Sequence, residues 1–319
     1  MFTAIAAVLV GLVILVWSAD RFVFGAAATA RHLGMSPLMI GMTIVSLGTS
    51  APEIFVSATA SLDGAGTLAI GNAIGSNITN IGLVLGITAL VSPLPIQARM
   101  MRKEMPILLL VTVIAGLVLQ DLAVSFTDAF IMLGCLVVTL FWLFNESSEQ
   151  GVGGLDDEEN EAIEHASTGN SIFWLVVGLV ALMASSKLLV WGAVDLARLF
   201  GISELVIGLT IVAIGTSLPE LAASIASALK GHHDIAIGNV VGSNIFNLLA
   251  VMPIPGLIAF TEVQSEALYR DYMTMLGLTL LLIAVVYFMR KSGKVGRAPG
   301  IVMLLSYSAY VGVLLYQSL

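Results

Sequence analysis

The sequence predicts an all-α, polytopic membrane protein of ten transmembrane helices, arranged as two inverted five-helix repeats. Three observations predict it: a composition poor in charge, a series of span-length apolar stretches, and an internal repeat. Of 319 residues, 58% are hydrophobic and 11% charged, with a mean hydropathy of +1.01. Soluble globular chains carry about 25% charged residues. In lipid every backbone polar group must be bonded internally, so long apolar runs without period-two alternation mean helices. About 20 apolar residues suffice to cross a bilayer as a helix.

Spans are expected near residues 2–28, 36–62, 68–92, 104–120, 126–144, 171–197, 203–229, 235–258, 270–289 and 299–317. The first run is too long for a cleavable signal and lacks a basic start and a cleavage motif. Cys135, the only cysteine, falls within the fifth span, so disulfides play no part. Between spans 5 and 6 lies an acidic stretch. It holds Glu146, Glu149, Asp156, Asp157, Glu158, Glu159, Glu161 and Glu164, and these eight acids account for the net charge of −8. The stretch lacks the ligand alternation and central glycine of an EF-hand loop and reads as a solvated linker. The expected organisation is therefore a first repeat over 1–145, an acidic cytoplasmic loop over 146–169 and a second repeat over 170–319.

Orientation follows from lysine and arginine in the short loops. Loops after odd-numbered spans hold nine: Arg31, Arg99, Arg102, Lys103, Lys230, Arg290, Lys291, Lys294 and Arg297. Those after even-numbered spans hold two, Arg198 and Arg270. Both termini are expected outside, in a plasma (inner) membrane. Asp20–Arg21 and Lys187 are expected to snorkel or to pair locally. Lys103–Glu104 and Arg270–Asp271 read as interfacial anchors of spans 4 and 9.

Residues 34–80 align without a gap onto 201–247 at an offset of 167, with 25 identities in 47 positions. Gly41–Ser57 reads GMTIVSLGTSAPEIFVS and Gly208–Ser224 reads GLTIVAIGTSLPELAAS. Ala69–Asn80 reads AIGNAIGSNITN and Ala236–Asn247 reads AIGNVVGSNIFN. Five spans per half force opposite orientations, and inverted repeats place a site at their interface near the midplane. The glycine pairs Gly71/Gly75 and Gly238/Gly242 read as close-packing ridges. Pro253, aligned with Gly86, is a point where span 8 can bend differently from span 3.

Glu53 and Glu220 fall mid-span, where a carboxylate costs roughly 2.5–3.5 kcal/mol on insertion scales. No Lys or Arg is near either one in these spans, so a cation is the natural counter-charge. Pro52 and Pro219 precede them and disturb the preceding turn at Gly48–Thr49 and Gly215–Thr216. With Asn72, Ser76, Asn77, Asn80 and their counterparts Asn239, Ser243, Asn244 and Asn247, the donors are hard oxygens. They suit Ca²⁺ with its six to eight oxygen ligands, while a thiol or imidazole set for zinc or copper is missing. Two carboxylates neutralise one Ca²⁺ or two monovalent ions, and competition for them would couple the two cations. The pattern carries no nucleophile–base pair or metal-bound-water site expected of an enzyme, and nothing points to a cofactor or to nucleic acid.

At these residues the chain resembles the sodium/calcium exchanger family, within the cation/calcium exchanger superfamily. The resemblance covers the whole chain and rests on the paired GTSxPE and GSNxxN blocks. It implies a secondary antiporter exchanging Ca²⁺ for Na⁺ by alternating access. The implied cation ligands are Thr49, Ser50, Glu53, Ser76 and Asn80, with Thr216, Ser217, Glu220, Ser243 and Asn247. Thr49 and Thr216 would act through their carbonyls, as would Ser46 and Ala213, and Ca²⁺ would take Glu53, Glu220, Thr49 and Thr216. Some members have an aspartate where this chain has Asn80 or Asn247. With two acidic ligands rather than three, potassium co-transport is disfavoured and a Ca²⁺/H⁺ antiporter of the same fold is the alternative. In the family the first and sixth spans slide over the core, and Gly11, Gly25, Gly178 and nearby alanines supply small faces for it.

Overall fold

The computed structural model describes residues 1–145, 166–202 and 204–318. Eight of its helices are individually long and apolar enough to cross a membrane, and two bent pairs bring the number to ten. In chain order these are α1 (Phe2–Leu33), α2 (37–62), α3 (Gly66–Val91), α4 (Arg99–Asp121) and α5 (Phe126–Asn145), then α6 (Thr168–Leu199), α7 (204–229), α8 (His233–Ile258), α9 (Ala267–Met289) and α10 (Arg297–Ser318). The acidic side chains Glu146 to Glu164 lie outside the described residues; α6 begins at Thr168, inside the segment read as loop.

Local sequence explains the boundaries. Gly34 closes α1 at φ 64°, the left-handed conformation in which glycine has no Cβ penalty. Ser36 then opens α2: its hydroxyl accepts the Met39 N–H at 3.3 Å, and Pro37 takes the first helical position, where a missing N–H costs nothing. Ser167 caps α6 in the same way.

The two middle helices of the repeats are broken where the prolines predict. α2 bends by 42° between Thr49 and Ala51, and α7 by 54° between Thr216 and Leu218. Pro52 and Pro219 sit in the first turn of the second segments, so Ser50 and Ser217 become the breaks and Glu53 and Glu220 fall in fresh first turns. Pro253 marks a milder difference: α3 is helical throughout Gly66–Val91, whereas in α8 a two-residue turn at Met252–Pro253 separates Asn247–Val251 from Ile254–Ile258 without dividing the 26-residue span. Wide π-type turns begin at Gly41, Asn80, Gly208 and Asn247, in register with the repeat. Nothing in the residue pattern announced them.

Inversion is visible in the packing of α1 on α6. Gly11 faces Leu189, Phe22 faces Gly178, Gly25 faces Leu175 and Val8 faces Gly192. A step forward along one helix is a step back along the other, so the pair is antiparallel, and the contacts exchange under the 167-residue offset. A Cβ at Gly178 would come within 2.6 Å of the Phe22 nitrogen, and one at Gly25 would overlap the Leu175 backbone. Two short ribbons repeat the symmetry at the membrane faces. β1 (Leu94–Pro95), after α3, pairs antiparallel with β4 (Lys294–Val295), after α9; β2 (Ala123–Val124), after α4, pairs with β3 (Thr261–Glu262), after α8. Odd-numbered connections thus meet on one face, the odd face, and even-numbered ones on the other, the even face.

The core is α3 and α8. Buried residues make up 94% of the apolar window of α8 and 72% of that of α3, against 17% in α5 and α10, which carry exposed apolar side chains such as Val137, Phe141, Val302 and Leu305. The interfacial anchors differ in detail from expectation. Glu104 pairs with Arg99 at 2.9 Å one turn back, whereas Asp271 takes the adjacent Arg270 at 2.7 Å and the Tyr310 hydroxyl at 2.9 Å. Asp20 pairs locally with Arg21 at 3.8 Å, and its other carboxylate oxygen reaches Lys230, beyond the end of α7, at 2.8 Å.

Candidate ion-binding site

Glu53 and Glu220 are both fully buried, each at the start of a helix segment that begins beside a serine break. Around them hydrogen bonds run both within and between the repeats. The Ser50 hydroxyl donates to Glu220 Oε1 at 3.3 Å, and Ser76, from α3, donates to Glu53 Oε1 at 3.4 Å. Thr49 Oγ1 donates to Asn239 Oδ1 at 3.0 Å and lies 3.5 Å from Ser243 Oγ. These contacts bring residues of α2, α3, α7 and α8 into one cluster.

What the cluster leaves unbonded matters more. Glu53 Oε2, Glu220 Oε2, Ser217 Oγ and both amide atoms of Asn80 and Asn247 are buried without a hydrogen-bond partner. An orphaned buried polar atom loses its hydration for nothing in return, and native interiors tolerate few of them. Neither glutamate takes part in the described ion pairs, which join Asp20 to Lys230 and Arg21, Arg99 to Glu104, and Arg270 to Asp271. The donor set is two carboxylates, hydroxyls and amide oxygens, which fits a hard cation and offers nothing to a soft one.

Asn72 and Asn239 have a part that the residue pattern left open between ligand and glue. Asn72 Nδ2 donates to the Glu53 carbonyl at 3.3 Å and to Ser57 Oγ at 3.2 Å. Asn239 Nδ2 repeats this with the Glu220 carbonyl at 3.3 Å and Ser224 Oγ at 3.0 Å. Each amide ties a glutamate-bearing turn to the facing core helix. Asn77 and Asn244 belong to the crossing of α3 and α8, where Asn77 Nδ2 donates to the Asn244 carbonyl at 3.1 Å.

The halves are not equivalent. In the first, the Pro37–Thr49 segment of α2 lies against α8, so that a Cβ on Gly242 would stand 2.5 Å from the Met42 carbonyl oxygen. Ser46 and Thr49 are buried there. In the second, Ala213 is exposed, Thr216 half-buried, and Gly71 exposed; no atom of the described residues comes within 4 Å of a Cβ on Gly71 or Gly75. Among the described residues only the Gly238/Gly242 ridge is filled. A cavity of about 600 Å³ between α2, α6 and α7 reaches Thr216, Gly215, Ala51 and Pro52. The cavity thus meets the cluster at Gly215 and Thr216, in the even-side half of α7, while Ser46 and Thr49, in the odd-side half of α2, are buried.

Comparison with known proteins agrees with this architecture. The model of the sodium/calcium exchanger protein family matches residues 3–145 and 170–316. The putative antiporter CaxA of Alkalimonas amylolytica is 45% identical over 97% of this chain and 98% of its own. The sodium/calcium exchanger MaX1 of Methanosarcina acetivorans is 32% identical over 97% of each. A solved structure of the sodium-calcium exchanger NCX_Mj superposes with a TM-score of 0.83 at 32% identity, covering 98% of both chains. The chain is a multi-pass membrane protein and belongs to the sodium/calcium exchanger family.

Proposed function

We propose that the protein is a secondary antiporter exchanging Ca²⁺ for Na⁺ by alternating access at the cluster around Glu53 and Glu220. The observation that carries the reading is the pair of buried, unpaired carboxylate oxygens, Glu53 Oε2 and Glu220 Oε2, together with the buried and unbonded side-chain oxygens of Ser217, Asn80 and Asn247 on the same four helices. The proposed ligands are Thr49, Ser50, Glu53, Ser76 and Asn80 with Thr216, Ser217, Glu220, Ser243 and Asn247, and the carbonyls of Ser46 and Ala213. Two carboxylates balance one Ca²⁺ or two Na⁺, so either occupant neutralises the site and each excludes the other. That exclusion is the coupling an antiporter requires.

One-sided access supports the second half of the reading. The shut Pro37–Thr49 segment and the displaced first half of α7 are the same sequence block in two arrangements. Exchanging the arrangements would shut the even face and open the odd one. With lysine and arginine concentrated on the odd face, that face is placed in the cytoplasm and the open face outside, with the free ends of α1 and α10 outside, in an inner (plasma) membrane. The 146–169 segment is then a cytoplasmic linker between repeats 1–145 and 170–319.

The test is ⁴⁵Ca²⁺ uptake into proteoliposomes loaded with Na⁺, beside vesicles carrying only a pH gradient. Uptake driven by outward Na⁺, and abolished by Glu53→Gln or Glu220→Gln in protein that remains monodisperse, is the expected result. Uptake driven by the pH gradient alone would replace Na⁺ by H⁺ as the coupling ion.

A further inference from the structure

The cavity on the even face has one charged residue in its wall among the described residues, Lys187 of α6. Its Nζ lies 5.5 Å from the centroid of the Phe55 ring, an aromatic face that holds an ammonium at membrane depth. Otherwise the wall is apolar apart from Ser186 and Thr216, so little polar surface screens the charge.

The repeat identifies the residue in the corresponding place on the other side. Carried across the 167-residue offset, Pro52 becomes Pro219, Thr216 becomes Thr49, and Lys187 becomes Asp20. Asp20 stands on α1, which mirrors α6, and the same offset together with its contact to Lys230, after α7, assigns it to the odd side. In this structure, with that face shut, its carboxylate is 2.8 Å from Lys230 and 3.8 Å from Arg21. Two positions that the fold makes equivalent thus carry opposite charges.

We propose that Lys187 and Asp20 form a charge filter of opposite sign at the two mouths of the cation path, Lys187 weakening Ca²⁺ capture from the even face and Asp20 strengthening it from the odd face. The proposal rests on the cation site described above. A charge in a low-dielectric cleft sets the local concentration of mobile ions. Its interaction energy scales with ion charge, so Ca²⁺ feels it twice as strongly as Na⁺. The filter leaves the exchange equilibrium untouched, because stoichiometry and gradients fix that. It alters the half-saturating Ca²⁺ concentration on each face, giving easy loading from the odd side and easy release to the even side.

The experiment measures Na⁺-gradient-driven ⁴⁵Ca²⁺ transport in vesicles of both orientations, with the Ca²⁺ KM read separately for each face. Lys187→Gln should lower the even-face KM about threefold to tenfold, with the odd-face KM unchanged. Lys187→Arg should keep the wild-type value. Asp20→Asn should raise the odd-face KM by a similar factor, and Asp20→Glu should restore it. If Lys187→Gln and Lys187→Arg shift KM alike, or neither shifts it while transport persists, the filter is wrong and the exchanger reading stands. If the wild-type chain carries no Ca²⁺ from either face, both readings fall together.

Discussion

At the scale of single residues, Glu53 and Glu220 each have one oxygen with a hydroxyl donor and one with none, and the surrounding serines and asparagines divide between holding and waiting. Asn239 holds. Its amide donates to the Glu220 carbonyl and Ser224 while its oxygen accepts from Thr49, fixing both glutamate-bearing elements against α8. Supporting partners of ion ligands are typically worth about 10–100-fold in affinity. Asn239→Ala should therefore weaken Ca²⁺ binding about tenfold or more, checked by calorimetric titration; wild-type affinity would remove Asn239 from the support of the site. Asn247 waits, buried with both amide atoms unbonded. Asn247→Asp adds a third carboxylate to a balance of two, and should alter the selectivity or the pH dependence of transport. An unchanged profile would place Asn247 outside the ligand set. Both glutamates were legible in the sequence, since a mid-span carboxylate with no basic neighbour calls for a bound counter-ion. The roles of Asn72 and Asn239 were not, because an amide on a different helix gains its partner only once the helices cross.

At the scale of elements, the same glycine pair meets two fates. Gly238 and Gly242 are covered by the first half of α2, but Gly71 and Gly75 stand clear of the described residues. A repeat in sequence is symmetric, whereas a conformation of it need not be; the residues specify both arrangements and cannot say which is populated. The serine breaks were foreshadowed by Pro52 and Pro219, but the π-type turns were not, since they follow from how α2, α3, α7 and α8 cross rather than from any local propensity. Side chains added to the glycines should separate the two states. A Cβ at Gly242 meets the Met42 carbonyl at 2.5 Å, an overpacking worth about 1–3 kcal/mol. Gly242→Leu should bias the molecule away from the observed state and Gly75→Leu towards it. Thiol labelling of Ala213→Cys from the even face, in a Cys135→Ala background, should rise with Gly75→Leu and fall with Gly242→Leu. Equal labelling would contradict rocking of these segments against α3 and α8.

At the scale of the whole molecule, α1 and α6 lie antiparallel through contacts that map onto one another, while α3 and α8 form the buried centre. Gly178 faces Phe22 at a distance that leaves no room for a side chain. Gly178→Val should therefore slow exchange by forcing the two helices apart, while Ca²⁺ binding to the site between the core helices persists. Loss of binding together with flux would mean that the pair builds the site instead of moving over it. The span count and the inversion were legible because hydropathy and an odd number of spans per repeat leave little choice. The ion pair between the repeats, Asp20 with Lys230, was not, since it joins the halves through space.

The central claim is that one cation cluster, contributed equally by both repeats, binds Ca²⁺ and Na⁺ in competition. Calorimetric titration of Ca²⁺ into the purified protein in Na⁺-free buffer tests it most directly. The account predicts one Ca²⁺ per chain, displaced by added Na⁺ and lost in Glu53→Gln and in Glu220→Gln alike. Binding that survives either substitution, or that ignores Na⁺, would contradict it.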